Sequence, residues 1–350
     1  MMLKRFLSRH LGDGEGRSRS GLAFVVFAIA GLSLWSALPG AFAQGVSKWQ
    51  REFPATNFAS RIVELDEIDD DGNTRDSIPP VREPKYVPAS EVRDIGPLEP
   101  VLSVGINGDF RAYPLRILLW HEIVNEVIGD TPVLISYCPL CNSGVVFDRR
   151  LGERLLEFGN TGRLRHRDMV MYDKETESWW QQFTGEAIIG DLSGKRMTPI
   201  PARLESLARF RERAPDGQVL VPEDEGARPY GASPYVGMDT QRIPRALQAV
   251  HFPYPLPDGV SPMDRVVVVG DEAWTLSALR ERSPVTDDDL VLSWQAGQNS
   301  IHDTQLIFRG RDVGNVVVQR KTADGAEDVP YDVVFAFSFR AFNPDGTLHR

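Results

Sequence analysis

The sequence predicts a β-rich α+β protein of antiparallel hairpins and meanders with a few short helices, in which one unit is duplicated and its second copy is degenerate. Three observations carry this. An Asn-Gly turn separates two strand-length apolar runs, further such runs follow with Gly, Asp, Lys and Glu between them, and the last quarter of the chain repeats the strand-and-helix start of the first β-rich region. The 350 residues are 42% hydrophobic and 25% charged, an ordinary globular composition with room for two domains of usual size.

At the N-terminus, Lys4, Arg5, Arg9, Arg17 and Arg19 precede an apolar run over 21–38, which Ala41-Phe42-Ala43 follows. A charged region, an apolar region and small residues at a cleavage point predict a signal peptide over 1–43, with Gln44 as the mature start and a periplasmic or secreted location. The apolar run also reaches the lower limit for spanning a bilayer, so an uncleaved N-terminal membrane anchor is the alternative. The formal charge is −10, and losing five basic and two acidic leader residues makes the mature chain more negative still. Nucleic acid and anionic membrane surfaces are thereby excluded as long-range electrostatic partners. Another exported protein or a metal donor is the partner expected.

Residues 44–98 are polar with scattered prolines and predict irregular wrapping or an extended arm. Asp69-Asp70-Asp71-Gly72-Asn73 looks like the start of a calcium loop, but with Gly72 in the sixth position the twelfth falls on Ile78, which argues against calcium. A first β-rich domain is expected over 99–215. It opens with a hairpin, 101–106 and 109–115 about Asn107-Gly108. Ile117, Leu118, Trp120, Ile123, Val124, Val127 and Ile128 recur at helical spacing up to Gly129 and predict one amphipathic helix. Strands follow over 133–137, 144–149, 154–158, 169–172 and 178–183, then a helix over 201–214. Residues 216–260, rich in Pro, Gly and Tyr, read as a connector.

The second, degenerate repeat is expected over 261–350. Val101-Leu102-Ser103-Val104-Gly105, continuing to Tyr113-Pro114-Leu115, matches Val266-Val267-Val268-Val269-Gly270, continuing to Trp274-Thr275-Leu276. Val133-Leu134-Ile135-Ser136 likewise matches Leu290-Val291-Leu292-Ser293, and 144–149 matches 314–320.

The chemistry centres on Cys138-Pro139-Leu140-Cys141. Two thiols at this spacing either close a small disulfide or bind one metal ion. A redox pair normally opens a helix whose N-terminus stabilises the attacking thiolate; strands are expected on both sides here, closer to a metal knuckle for copper(I) or zinc. His121 is the expected third ligand, because the second repeat lacks His121, Cys138 and Cys141 together, and Met171 is an outside candidate for a fourth. The alternative is a thiol-disulfide oxidoreductase with Cys138 as nucleophile and Cys141 as resolving thiol. A non-catalytic scaffold with a structural disulfide is the third reading. His166 reads as a solvated loop residue, and of Trp179 and Trp180, on alternating strand positions, one is free to line a cleft. No nucleotide loop, zinc-protease helix or nucleophile elbow is present, and nothing specific supports a hydrolase built on Asp148 or Asp173.

At these residues the chain resembles an uncharacterised bacterial family, "domain of unknown function 3179". The stretches that carry the resemblance are Arg111-Ala112-Tyr113-Pro114-Leu115, Trp120-His121-Glu122-Ile123-Val124-Asn125, Tyr137-Cys138-Pro139-Leu140-Cys141, Phe147-Asp148-Arg149, Met171-Tyr172-Asp173 and 230–239, with Gly310-Arg311-Asp312-Val313-Gly314 further on. The resemblance implies export and no established reaction.

Overall fold

In the computed structural model, which describes residues 46–70, 72–239 and 254–350, the polar N-terminal stretch wraps over the strands that follow it. The leader expected over 1–43 lies outside the described residues. A helix over 46–52 (α1) and the strands Ile68–Asp70 (β1) and Lys85–Pro88 (β2) punctuate the wrapping. Trp49, Phe53 and Phe58 are buried against Trp179, which holds this stretch to the body of the protein. No helix among the described residues is long and apolar enough to cross a membrane.

Pro100–Ile106 (β3) and Asp109–Pro114 (β4) pair antiparallel about Asn107 and Gly108. Both turn residues take positive φ, 52° and 84°, as a two-residue hairpin turn demands. The chain then enters Leu115–His121 (α2), stops at Glu122 in the left-handed conformation, and continues as Ile123–Ile128 (β5). The single helix expected over 117–128 is therefore half strand. Ile123, Val124, Val127 and Ile128 are β-branched and favour a strand. Because β5 is buried on both faces apart from Val127, its apolar residues show no strand alternation.

Thr131–Cys138 (β6) and Ser143–Asp148 (β7) complete a meander with β5. A ribbon of Arg150–Leu151 (β8) and Arg154–Leu155 (β9) leads to Phe158–Arg165 (β10), Asp168–Asp173 (β11), Trp179–Gln181 (β12) and Glu186–Ile189 (β13). A register shift at 160–163 and two glycines hid the long strand β10 from a reading by apolar runs. Thr198–Pro199 (β14) returns to β7. The helix expected over 201–214 splits into Arg203–Ser206 (β15) and Leu207–Arg213 (α3), with the Ser206 hydroxyl accepting from Arg209 N at the helix start. Gln218–Val221 (β16) runs parallel to β4.

The second half follows the order of hairpin, helix, meander and returning strand, without strands equivalent to β8–β13 among the described residues. Arg265–Val269 (β17) and Glu272–Thr275 (β18) form a hairpin, followed by Leu276–Arg282 (α4), Val285–Asp287 (β19), Leu290–Gln295 (β20), Asn315–Thr322 (β21) and Gly325–Asp328 (β22). Asp332–Phe335 (β23) pairs antiparallel with β17, Ala336–Phe342 (α5) follows it, and Thr347–His349 (β24) runs parallel to β18. β15, α3 and β16 stand in the same relation to the first hairpin.

Among the described residues, five sheets of four or five strands stand beside the β8-β9 ribbon, in the orders β1-β10-β11-β12-β13, β14-β7-β6-β5, β15-β3-β4-β16-β2, β23-β17-β18-β24 and β19-β20-β21-β22. The arrangement resembles a five-bladed propeller. The largest apolar cluster takes Tyr113, Leu118 and Ile135 from the first half and Val267, Leu279, Leu292 and Val333 from the second, so one core serves both. β23 of the second half lies against β7 of the first, and this contact positions the cysteine pair.

Candidate functional site

β6 ends on Cys138, Pro139 and Leu140 make the turn, and Asn142 takes a φ of 59° before β7 begins at Ser143. Proline presets φ at a turn and asparagine tolerates the left-handed region, so the motif closes a hairpin without opening a helix. Strands do flank the pair on both sides. Cys138 and Cys141 are unbridged thiols, both buried.

The third member comes from β11. His166 and Arg167 take φ of 52° and 67° at the β10–β11 turn, which carries Asp168 beneath the cysteines. The two sulfurs and an Asp168 carboxylate oxygen all lie within 4.8 Å of one another, and Cys141 and Asp168 are 0% exposed. Asp168 Oδ2 accepts from Gln181 Nε2 at 2.6 Å and Phe183 N at 2.9 Å, while Oδ1 is buried with no nitrogen or oxygen partner. Burial pushes the Asp168 carboxyl up to about 7, against the pull of those hydrogen bonds and of the thiols. Burial also raises both thiols, Cys141 well above the ordinary range, and the Asp168 charge raises them further. The Cys138 thiol points toward Arg167 O at 3.8 Å.

Glu122 borders this centre and its charge contributes to raising Cys138. The left-handed turn that ends α2 turns Glu122 inward, where its Oε2 accepts from Asn160 Nδ2 at 2.6 Å, and the same Nδ2 lies 3.1 Å from Met169 Sδ. His121, one residue earlier, faces elsewhere. Its Nδ1 is 2.9 Å from Pro79 O and its Nε2 2.8 Å from Tyr230 Oη, so the structure does not bring it to the cysteines. Met171 shares their apolar cluster but is packed there as a wholly buried core residue opposite Trp180.

The second half supplies the frame of the turn. Phe335 N donates to Cys141 O at 3.0 Å, Asn142 Nδ2 donates to Val333 O at 2.5 Å, and Asp332 accepts from Ser143 Oγ and Gly144 N. His302 Nε2 lies 2.8 Å from Pro139 O, and its Nδ1 accepts from Arg265 Nη2 at 3.1 Å. That contact fixes the tautomer with the proton on Nε2. Burial, then the neighbouring Arg265, hold His302 down to about 3. Arg265 is in turn paired with Asp239, which also accepts from Arg311.

Residues weighed for other chemistry are placed structurally. Trp179 and Trp180 are both wholly buried, Trp180 donating to Asp173 Oδ2 at 2.8 Å, so neither lines a cleft. His166 packs on Phe342 and Glu67 and is not a solvated loop residue. Asp148 pairs with Arg150 at the surface, and Asp173 holds the turn at Thr176. Reading by motif missed Asp168 and His302. Asp168 lies in a charged stretch with no spacing that links it to the cysteines, and His302 lies in an irregular loop. The one available signal was a buried-type strand, Met169-Val170-Met171-Tyr172, opening on a carboxylate.

Neither a curated protein nor a solved structure matches the chain. The family model described as "Protein of unknown function (DUF3179)" matches residues 75–346, which include the cysteine turn, Asp168 and the clamp from the second half, and the chain belongs to that family.

Proposed function

We propose that the protein holds one metal ion, zinc ahead of copper(I), between the thiolates of Cys138 and Cys141 and the carboxylate of Asp168. The observation that carries this is Asp168 Oδ1, a wholly buried oxygen without a nitrogen or oxygen partner, grouped with two sulfurs. A buried carboxylate oxygen with no nitrogen or oxygen donor is costly, and a cation among these three groups removes the cost. Two thiolates and a carboxylate suit zinc, which accepts sulfur and oxygen donors, better than copper(I), which selects sulfur. His121 drops out of the ligand set. Met171 remains the thioether within the same cluster.

The geometry gives less support to thiol-disulfide exchange. Both sulfurs are buried, burial raises both above the ordinary thiol range, and the turn that carries them leads from β6 into β7 without opening a helix of its own. Each of these lowers the thiolate fraction available for attack.

We infer also that the two halves descend from one duplicated unit whose second copy lost its cysteines and serves as the clamp. Support comes from the shared order of hairpin, helix, meander, returning strand, helix and parallel strand. The site's third member lies on the sheet of β10–β13, which has no counterpart among the described residues of the second half. Export through the leader at 1–43, with retention as an anchor as the alternative, completes the reading, and a metal-donating protein of the same compartment is the partner it requires.

Elemental analysis with thiol counting on reduced protein tests the site. One equivalent of zinc or copper is expected at the cysteine centre, and Cys138→Ser and Asp168→Asn should each lower the metal content by that equivalent while the circular dichroism spectrum is kept. A metal-free protein that takes up neither ion would refute the proposal.

A further inference from the structure

The two hairpin-and-helix units place a carboxylate at the same point and treat it differently. Glu126 is the fifth residue after α2 and pairs with Val133; Asp287 is the fifth after α4 and pairs with Leu290. The residue four positions before the helix is Arg111 in the first unit and Glu272 in the second. In the first unit the Arg111 guanidinium and the hydroxyls of Tyr86 and Tyr113 meet Glu126. In the second unit Glu272 stands where the arginine would be. No strand equivalent to β2 borders β24 among the described residues, so nothing corresponds to Tyr86.

Glu272, Asp287 and His349 instead gather, with ligand atoms within 4.8 Å of one another. His349 Nε2 is shut from solvent without a hydrogen-bond partner and lies 3.9 Å from Glu272 Oε2. Its ring is fixed by stacking on Trp274, which stands at the position of Tyr113, at 4.9 Å and 10°. Two carboxylates and an imidazole form a donor set for a divalent first-row cation. The 3.9 Å separation is within about half an ångström of the edge of a tetrahedron built on zinc bond lengths of about 2.1 Å.

We propose that Glu272, Asp287 and His349 bind a divalent cation, with zinc as the ion to test, which occupies the place of the Arg111 guanidinium in the first unit. The site is half-exposed, so the ion keeps open positions for water. This site does not depend on the cysteine centre. The two are separated by titrating zinc chloride into the Cys138→Ser/Cys141→Ser variant, in which one bound zinc per chain is expected. Glu272→Arg, which restores the first unit's arginine, should weaken that binding by about tenfold or more with the fold intact, since the new guanidinium pairs with Asp287.

Should the double cysteine variant not fold, cobalt(II) in the unmodified chain gives the same discrimination. Glu272→Arg must then remove one equivalent of cobalt while leaving any sulfur-to-cobalt charge-transfer band unchanged. Zinc or cobalt stoichiometry that is the same with and without Glu272→Arg overturns the proposal, as does a folded cysteine-free protein that binds no zinc.

Discussion

His302 donates a hydrogen bond from Nε2 to the carbonyl of Pro139, 2.8 Å away, and so ties the second half of the chain to the backbone of the cysteine turn. Replacing it by alanine leaves that carbonyl and the buried Arg265 each short of a partner. His302→Ala should cost about 1–3 kcal/mol, the usual penalty for orphaning a buried polar group, and should speed modification of the cysteines by a thiol reagent. Urea melts and reagent kinetics on reduced protein measure both. Unchanged thiol reactivity would remove the clamp from the account.

The same histidine sets a pH dependence. Its folded value of about 3 lies below the ordinary 6.5, so the unfolded chain binds the extra proton and folding weakens as pH falls from about 6.5 toward 3. Asp168 and Asp332, both pushed up to about 7 by burial, act oppositely. The folded chain keeps their protons, and their contribution is lost as pH rises from about 4 to about 7. Two groups outweigh one, by about 1.4 kcal/mol per pH unit for the uncompensated proton. From these groups, metal-free reduced protein should be less stable at pH 7 than at pH 4.5. His302→Gln should steepen that fall, and Asp168→Asn should flatten it.

Arg111 faces a carboxylate that is almost wholly buried, Glu126. Burial already raises the Glu126 carboxyl, and the Tyr113, Tyr86 and Arg111 contacts oppose the rise. Arg111→Ala leaves that charge uncompensated and should cost about 3–5 kcal/mol. Arg111→Ala/Glu126→Gln, which removes the charge as well, should recover most of the loss. Thermal melts of the pair decide it; equal destabilisation in both would show that the guanidinium acts through packing.

How much of this was legible in the sequence divides along physical lines. The Asn107-Gly108 hairpin was readable because its turn requires two positive φ angles that few residues accept. The strands on both sides of Cys138 and Cys141 were readable from composition and length. Where both faces of an element are buried, the period disappears, and β5 was read as the end of a helix. Spacing along the chain cannot report what approaches from another sheet, which is why Asp168 and His302 went unseen. His121 seemed to belong with the cysteines because the second half lacks all three. The helix end points its ring at Pro79 and Tyr230 instead, and absence in common did not mean a site in common.

The aromatic cluster about Trp179 tests whether the N-terminal wrapping is part of the fold. Trp49, Phe53 and Phe58 meet the indole at centroid distances of 5.5, 5.1 and 5.3 Å. Trp179→Ala should cost about 3–5 kcal/mol as a buried aromatic truncation and should expose 46–70 to protease before the rest of the chain. Simultaneous cleavage throughout would count against a separately docked segment.

Metal uptake at the cysteine centre should be strongly pH-dependent, with a sign fixed by burial. Cys138, Cys141 and Asp168 all hold their protons more tightly than the free groups do. An ion bound by two thiolates and a carboxylate must displace those protons, so affinity climbs with pH, by up to about tenfold per pH unit for each proton released. Asp168 is half-ionised near pH 7, so above that point two protons remain to be lost, and below it three. Zinc affinity measured by competition with a chelator between pH 6 and 8 should therefore follow a slope near three at the acid end and near two at the alkaline end. Asp168→Asn should weaken binding and abolish the change of slope. A pH-independent affinity, or a slope of one throughout, would mean that the thiols do not both bind as thiolates and would return Cys138 and Cys141 to a structural role.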